Sequence, residues 1–261
     1  MEYCEHGDLE SLIRNHIELG SKKPRDQEGR YLRTAIPSAV LWCVFEALVT
    51  VACLLRDGCL PVQAQDPAWR GHIFHRDIKP SNVFMAKPST QVWGSIPVPK
   101  LGDFGLAAET YATNIPDPRM SKGTGTPGFM APEAVFYEDH RDHRYRYSSA
   151  SDVYAIGRIM MCLIKLEDDQ HVGQPFYDTP TIDQRFAKPT EQLYGRQLLG
   201  YVLDCLEPDP SERPPVEKLW TYIQQQIMMT PGLRGLPPKF RGLEEGDVVR
   251  YEPDRYAVWA S

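Results

Sequence analysis

Residues His75 to Asn82 read H-R-D-I-K-P-S-N, and the fold is decided by how this stretch is read. Two further stretches follow it in order: D-F-G at Asp103 to Gly105, and G-T-P-G-F-M-A-P-E at Gly125 to Glu133. Taken singly, an aspartate or asparagine in such a stretch reads as a surface-loop residue. The spacing H-R-D-x-x-x-x-N fixes four positions, which chance supplies about once in a hundred thousand starts. The ordered trio therefore outweighs the bland reading of each residue.

Working outward, the first helix is marked by Leu9, Leu12, Ile13 and Ile17 at helical spacing, with Gly7-Asp8 as its cap region and Gly20 closing it. Residues 21–36 carry lysines, Pro24 and Gly29 and read as an exposed loop. Ser38 to Leu55 is an apolar run long enough to cross a bilayer. Glu46 near its centre would be costly in hydrocarbon, so the run reads as a buried core helix, with Pro37 in its first turn and Gly58 at C′. Residues 61–71 read as a loop. Val83–Met85 and Lys100–Gly102 are two short strands with an insertion between them, and 106–124 is a mobile loop. Ser151-Asp152 is expected to cap a third strong helix to about Lys165. Residues 167–189 show no clear element. Two more helices are expected, from about Glu191 to Leu206 and from Val216 to Ile227.

The 261 residues carry 42% apolar side chains, enough for a sizeable core, and a net charge of −6. That balance gives no global field favouring nucleic acid or an anionic membrane, so neither is expected as a partner. The six cysteines form no C-x-x-C pair and read as reduced thiols of an intracellular protein, cytoplasmic or nuclear. The opening M-E-Y-C-E-H-G-D-L-E lacks an apolar core and reads against a signal peptide. Glu138, Asp139, His140 and His143 stand among arginines and tyrosines and read as a solvated loop rather than a metal or nucleic-acid site.

The three motifs together resemble the catalytic core of a eukaryotic-type serine/threonine protein kinase. The resemblance covers residues 1–229 and implies a mainly α fold: a kinase-like hinge and large lobe, with short β-strands around the catalytic loop. Residues 230–261 remain as a Pro/Gly-rich charged tail, partly disordered. By the same resemblance Asp77 matches the catalytic base and Lys79 the residue that reaches the γ-phosphate, while Asn82 and Asp103 match the magnesium ligands. Glu133 and Arg213 resemble the family's buried ion pair, and Asp152 the acid that anchors the catalytic-loop backbone. His75 and Phe104 resemble members of its hydrophobic spine. Thr126 resembles the residue that bonds both base and lysine. Arg76 resembles the arginine that meets a phosphate on the activation segment, for which Ser121 and Thr124 are the candidate acceptors, Thr113 and Tyr111 weaker ones.

The segment M-E-Y-C resembles the family's hinge, so that Glu2 and Cys4 would contact adenine, Asp8 the ribose and Phe84 the underside of the base. M-E-Y-C…G-D-L and G-T-P-G-F-M-A-P-E are further reminiscent of NIMA-related and fungal kinases. The small β-rich lobe, with its glycine-rich loop and strand lysine, has no counterpart in this sequence. The resemblance implies ATP and Mg²⁺ as cofactors, protein Ser/Thr as acceptor and an upstream activating kinase. It also implies weak nucleotide binding and little turnover by a chain that opens at the hinge. The alternative is a lobe-less pseudokinase acting as a protein-binding module.

Overall fold

A computed structural model describes residues 3–21, 35–65, 69, 71–89, 93–111, 124–135, 147–173, 181–230 and 233. Its backbone is helix-rich. Helix α1 (Leu9–Ser21) begins where Asp8 Oδ1 accepts the Ser11 N–H at 2.7 Å, an N-cap that satisfies one of the helix's unpaired donors. Leu9, Leu12 and Ile13 are buried, whereas Ile17 has turned outward.

The apolar run forms α2 (Ser38–Asp57). Pro37 is its N-cap with extended ψ, one residue earlier than the first-turn position expected. Gly58 ends it in the left-handed region at φ 71°, its N–H closing on Leu54 O, with the Trp69 indole lying 2.5 Å from where a Cβ would stand. By length and composition α2 could cross a membrane, but here most of it is buried inside the fold. Phe45, Leu41, Leu48, Val44 and Cys53 are wholly enclosed in the main core. Glu46 is buried with them, accepting from Trp93 Nε1 at 2.6 Å and Gln224 Nε2 at 2.7 Å, so its oxygens are not left bare in the core.

Among the described residues, four short strands make two antiparallel pairs. Strand β2 (Val83–Ala86) pairs with β3 (Val98–Leu101), Val83 opposite Leu101 and Ala86 opposite Val98. The second strand thus starts two residues before the expected Lys100 and runs through Pro99, which a two-stranded sheet tolerates on an open edge. Strand β1 (Gly71–Phe74) pairs with β4 (Ala108–Tyr111), Phe74 opposite Ala108. This second sheet overturns the loop expectation at Gly71 and at 108–111. G-H-I-F and A-E-T-Y are too short and too mixed to announce a strand, and only their mutual pairing makes them one. The segment Tyr3–Gly7 is tied to β2 by His6 N–H on Met85 O and Met85 N–H on Gly7 O.

After the short α3 (Pro132–Val135) comes α4 (Ser149–Lys165), buried on nearly every face. Its cap is Ser148, in a reciprocal box with Ser151, not the expected Ser151-Asp152 pair. Those two residues lie inside the first turn, both buried. A one-turn helix α5 (Ile182–Arg185) occupies part of the stretch expected to be featureless. Helix α6 (Lys188–Cys205) is interrupted at Gly195, and α7 (Val216–Met229) lies along α2. Leu233, in the predicted tail, is buried against the core. No disulfide joins the cysteines: Cys43, Cys53, Cys162 and Cys205 are buried, and burial pushes the Cys53 thiol up to about 12.

Candidate active site

Strand β1 hands the chain to His75, whose side chain is fully enclosed. Its Nε2 donates to Gly102 O at 2.9 Å, and its Nδ1 accepts the Asp77 N–H at 3.3 Å. Those roles fix one tautomer and tie the H-R-D segment to the D-F-G segment. The Phe104 ring meets the His75 ring edge-on, centroids 4.8 Å apart. Asp152, buried in the first turn of α4, accepts from His75 N at 3.1 Å, Arg76 N at 3.3 Å and the Tyr147 hydroxyl at 2.6 Å. Burial pushes its carboxyl up, and these donors pull the other way. Arg76 is held at φ 70°, a strained conformation for a non-glycine residue, in the turn that Asp152 grips. The Arg76 guanidinium lies 5.9 Å from the centroid of the Tyr147 ring.

Asp77 is buried with its carboxylate spoken for on both oxygens. Oδ1 accepts the Thr126 N–H at 2.9 Å and the Thr126 hydroxyl at 2.7 Å. Oδ2 accepts Asn82 Nδ2 at 3.1 Å and faces Lys79 Nζ at 3.4 Å. Lys79 also donates to Thr126 Oγ1 at 3.0 Å, so one hydroxyl bridges Asp77 and Lys79. Asn82 sits at the end of the short turn Pro80–Asn82, its amide nitrogen donating to Asp77 O at 2.8 Å as well. Both amide bonds are donated by nitrogen, which leaves the side-chain oxygen of Asn82 as a cation donor. Asp103, at φ 57°, accepts the Gly105 N–H with Oδ1 at 3.3 Å and is solvent-exposed, so its other oxygen can face a ligand. One carboxylate and one amide oxygen are the hard donors that magnesium takes beside phosphates and waters, and this pair fits it.

The G-T-P-G-F-M-A-P-E motif is fastened at its end. Glu133 on α3 and Arg213 form a bidentate pair, both N–O distances 2.7 Å, with each residue more than nine-tenths buried. Ser151 Oγ donates to the same carboxylate, and Arg213 also donates to Ala150 O, Glu207 O and Pro208 O.

Phe84 is half-buried on β2 with its ring against Gly102. Asp8 bridges to Phe84 through the backbone and spends Oδ1 on the α1 cap. Cys4 is half-buried, as is Thr124. Glu2, Thr113, Ser121 and the stretch 138–143 lie outside the described residues, as does the Tyr111 side chain.

Two functional-looking residues escaped the sequence reading. Arg158, a lone charge within the apolar I-G-R-I-M-M of α4, is buried and donates to two backbone carbonyls, Gly128 O and Gly173 O. Glu10 is buried on α1, where its Oε2 accepts the Asp169 N–H at 3.0 Å, and Asp169 Oδ2 accepts the Ser81 hydroxyl at 2.7 Å. Burial raises the Glu10 carboxyl to about 7. The lone charge in an apolar run was a readable signal for Arg158; Glu10 on a solvent-patterned helix gave none.

A model of the protein kinase domain matches residues 66–223. Among curated proteins, the chain is 27% identical over 82% of its length to the G2-specific protein kinase nim-1 of Neurospora crassa. It is 31% identical over 95% of its length to the G2-specific protein kinase fin1 of Schizosaccharomyces pombe. To the serine/threonine-protein kinase Nek9 of Mus musculus it is 26% identical over 84%. The chain spans 23%, 30% and 18% of those three relatives respectively.

Proposed function

The chain belongs to the protein kinase family, with NIMA-type serine/threonine kinases among its relatives, and on that premise we propose that it transfers the γ-phosphate of ATP to serine or threonine of protein substrates. The observation that carries this reading is the arrangement around Asp77. Its Oδ1 is aimed by two bonds from Thr126 and its Oδ2 is flanked by Asn82 and Lys79. A carboxylate so held orients an acceptor hydroxyl and takes its proton. Lys79, already within reach of that carboxylate, supplies positive charge to the group in transfer. Asn82 and Asp103 would hold magnesium, which when bound neutralises phosphate charge. Phe84, Cys4, Glu2 and Asp8 would form the nucleotide's floor and hinge edge.

Serine or threonine is the favoured acceptor because a lysine two residues beyond the base is the pattern of serine/threonine kinases, and Lys79 here donates to the Thr126 hydroxyl. The reading carries an upstream kinase acting on Ser121 or Thr124, whose phosphate Arg76 would meet. It also carries an intracellular setting, in keeping with six cysteines that form no disulfide. On this reading residues 1–261 assayed alone are expected to turn over slowly.

The test is phosphate incorporation into a serine/threonine peptide library at high protein concentration, with Asp77→Asn beside the parent. We expect slow transfer that falls by on the order of 100-fold or more in the variant. Incorporation that Asp77→Asn leaves unchanged, or that goes to tyrosine instead, would sink the proposal.

A further inference from the structure

Arg158 is an expensive residue to hold where it stands. It is 3% exposed, deep in α4, and its guanidinium spends Nε–H on Gly128 O at 2.7 Å and Nη2–H on Gly173 O at 2.6 Å. A buried cation adds little net stability over an apolar side chain of the same volume, because desolvation offsets most of what its bonds return. Its effect is therefore better sought in what it holds in place. The rigid fork of guanidinium N–H groups fixes two acceptors in one plane, which lysine's single ammonium does not do.

Gly128 belongs to the G-T-P-G-F-M segment, and Gly173 to the connection leaving α4. The two are drawn together at the fork. Gly128 stands at φ +92°, and a Cβ there would meet Val172 Cγ1 at 2.5 Å. Backbone is thus packed against the 172–173 connection with no space for a side chain. Immediately beyond, Phe129 is buried in the main core, and its N–H closes on Thr126 O at 3.1 Å. Thr126 is the residue that bonds both Asp77 and Lys79. Only Pro127 stands between Gly128 and Thr126, a backbone span of about 7 Å at most. A shift at Gly128 therefore has almost no slack in which to fade before it reaches the base.

We infer that Arg158 is a positioning residue for the acceptor side of the site: it clamps Gly128 to Gly173 and thereby holds Thr126 against Asp77 and Lys79. The inference rests on the phosphoryl-transfer reading for its kinetic consequence, not for the clamp itself. It acts on the acceptor peptide and the proton-accepting carboxylate, and leaves the nucleotide side, on β2 and the Tyr3–Gly7 segment, untouched.

The test uses Arg158→Met, which fills the volume and donates to neither carbonyl, and Arg158→Lys, which keeps the charge and can reach one. Amide hydrogen exchange is followed along the chain, together with KM for peptide and for ATP. The clamp predicts faster exchange confined to 126–130 and 172–173, graded Met over Lys, with α2 and α7 unchanged. It also predicts a peptide KM raised on the order of 10-fold with the ATP KM unmoved. Should Arg158→Met fail to fold, the Lys variant alone must show the confined change. Unaltered exchange at 126–130, or a loosening spread evenly over α2 and α7, overturns the inference. So does a confined change that leaves peptide and ATP KM alike. If the parent shows no Asp77-dependent transfer while the exchange change is confined as stated, the clamp stands and the transfer reading is what has failed.

Discussion

Glu10 is the residue whose environment makes the clearest demand on solution conditions. Burial is the main cause of its raised carboxyl, and the neighbouring Asp169 carboxylate adds to it. The Asp169 N–H and the Arg14 guanidinium, 2.8 Å from Oε1, oppose it, and Asp168 with its partner His171 stands just behind. A carboxyl that holds its proton more tightly when folded makes the folded state bind more protons than the unfolded one. Stability from this group is thus fully present below the ordinary value of 4.5 and is lost as pH rises through about 7. We expect chemical-denaturation midpoints of the parent to fall across that window, and Glu10→Gln to remove that part of the fall. An identical pH profile in the variant would refute the assignment. Sequence legibility divides at this scale too. Asp77, Lys79 and Asn82 lie within six residues of one another, so spacing displayed them. Glu10 meets Asp169 across 159 positions and Arg158 meets Gly128 across 30, contacts that no local pattern can carry.

Elements were legible in proportion to how much of their own stability they hold. The long helices announce themselves by periodicity and caps, because each buries a face that repeats along its own sequence. Strands β1 and β4 do not, since four residues each acquire a reason to be extended only from the other. Caps show the same division: the α4 cap was placed three residues late because Ser148 and Ser151 are both serines and their reciprocal bonds are visible only in space. Two tests belong here. Gly58→Ala adds a methyl where the left-handed φ disfavours it and Trp69 fills the space, and is expected to cost about 1–3 kcal/mol, read from the denaturant midpoint. A midpoint equal to the parent's would show that the end of α2 can refold around the methyl. The Glu133–Arg213 pair joins α3 to the connection between α6 and α7. Arg213→Ala strands a buried carboxylate and is expected to cost about 3–5 kcal/mol. A loss below 1 kcal/mol in the same denaturation measurement would mean that the charge finds water.

Among the described elements α2 and α4 pack against each other, and α6 and α7 each pack on both. Trp42 and Trp93 are buried in that core, and Trp220 packs against it. Tryptophan fluorescence and far-ultraviolet circular dichroism should therefore report one coincident thermal transition. Separated transitions would show that the helical core and its surroundings melt apart. The kinase family was readable from three short motifs, whereas the second sheet, the α4 cap and the fork at Arg158 had to be seen. One feature ties site to core more closely than the motifs suggest. The first three turns of α4 hold Ser151 on Glu133, Asp152 on the His75–Arg76 backbone and Arg158 on Gly128. Two segments far apart in the chain, 75–76 and 128–133, are thus pegged at three points to a single stiff rod over about 10 Å of its length. Their errors of position are correlated: a tilt of the rod carries the His75–Arg76 turn, the Gly128 backbone and the Glu133–Arg213 pair together and leaves their mutual distances intact. The site tolerates drift of its scaffold better than it tolerates the loss of any one peg.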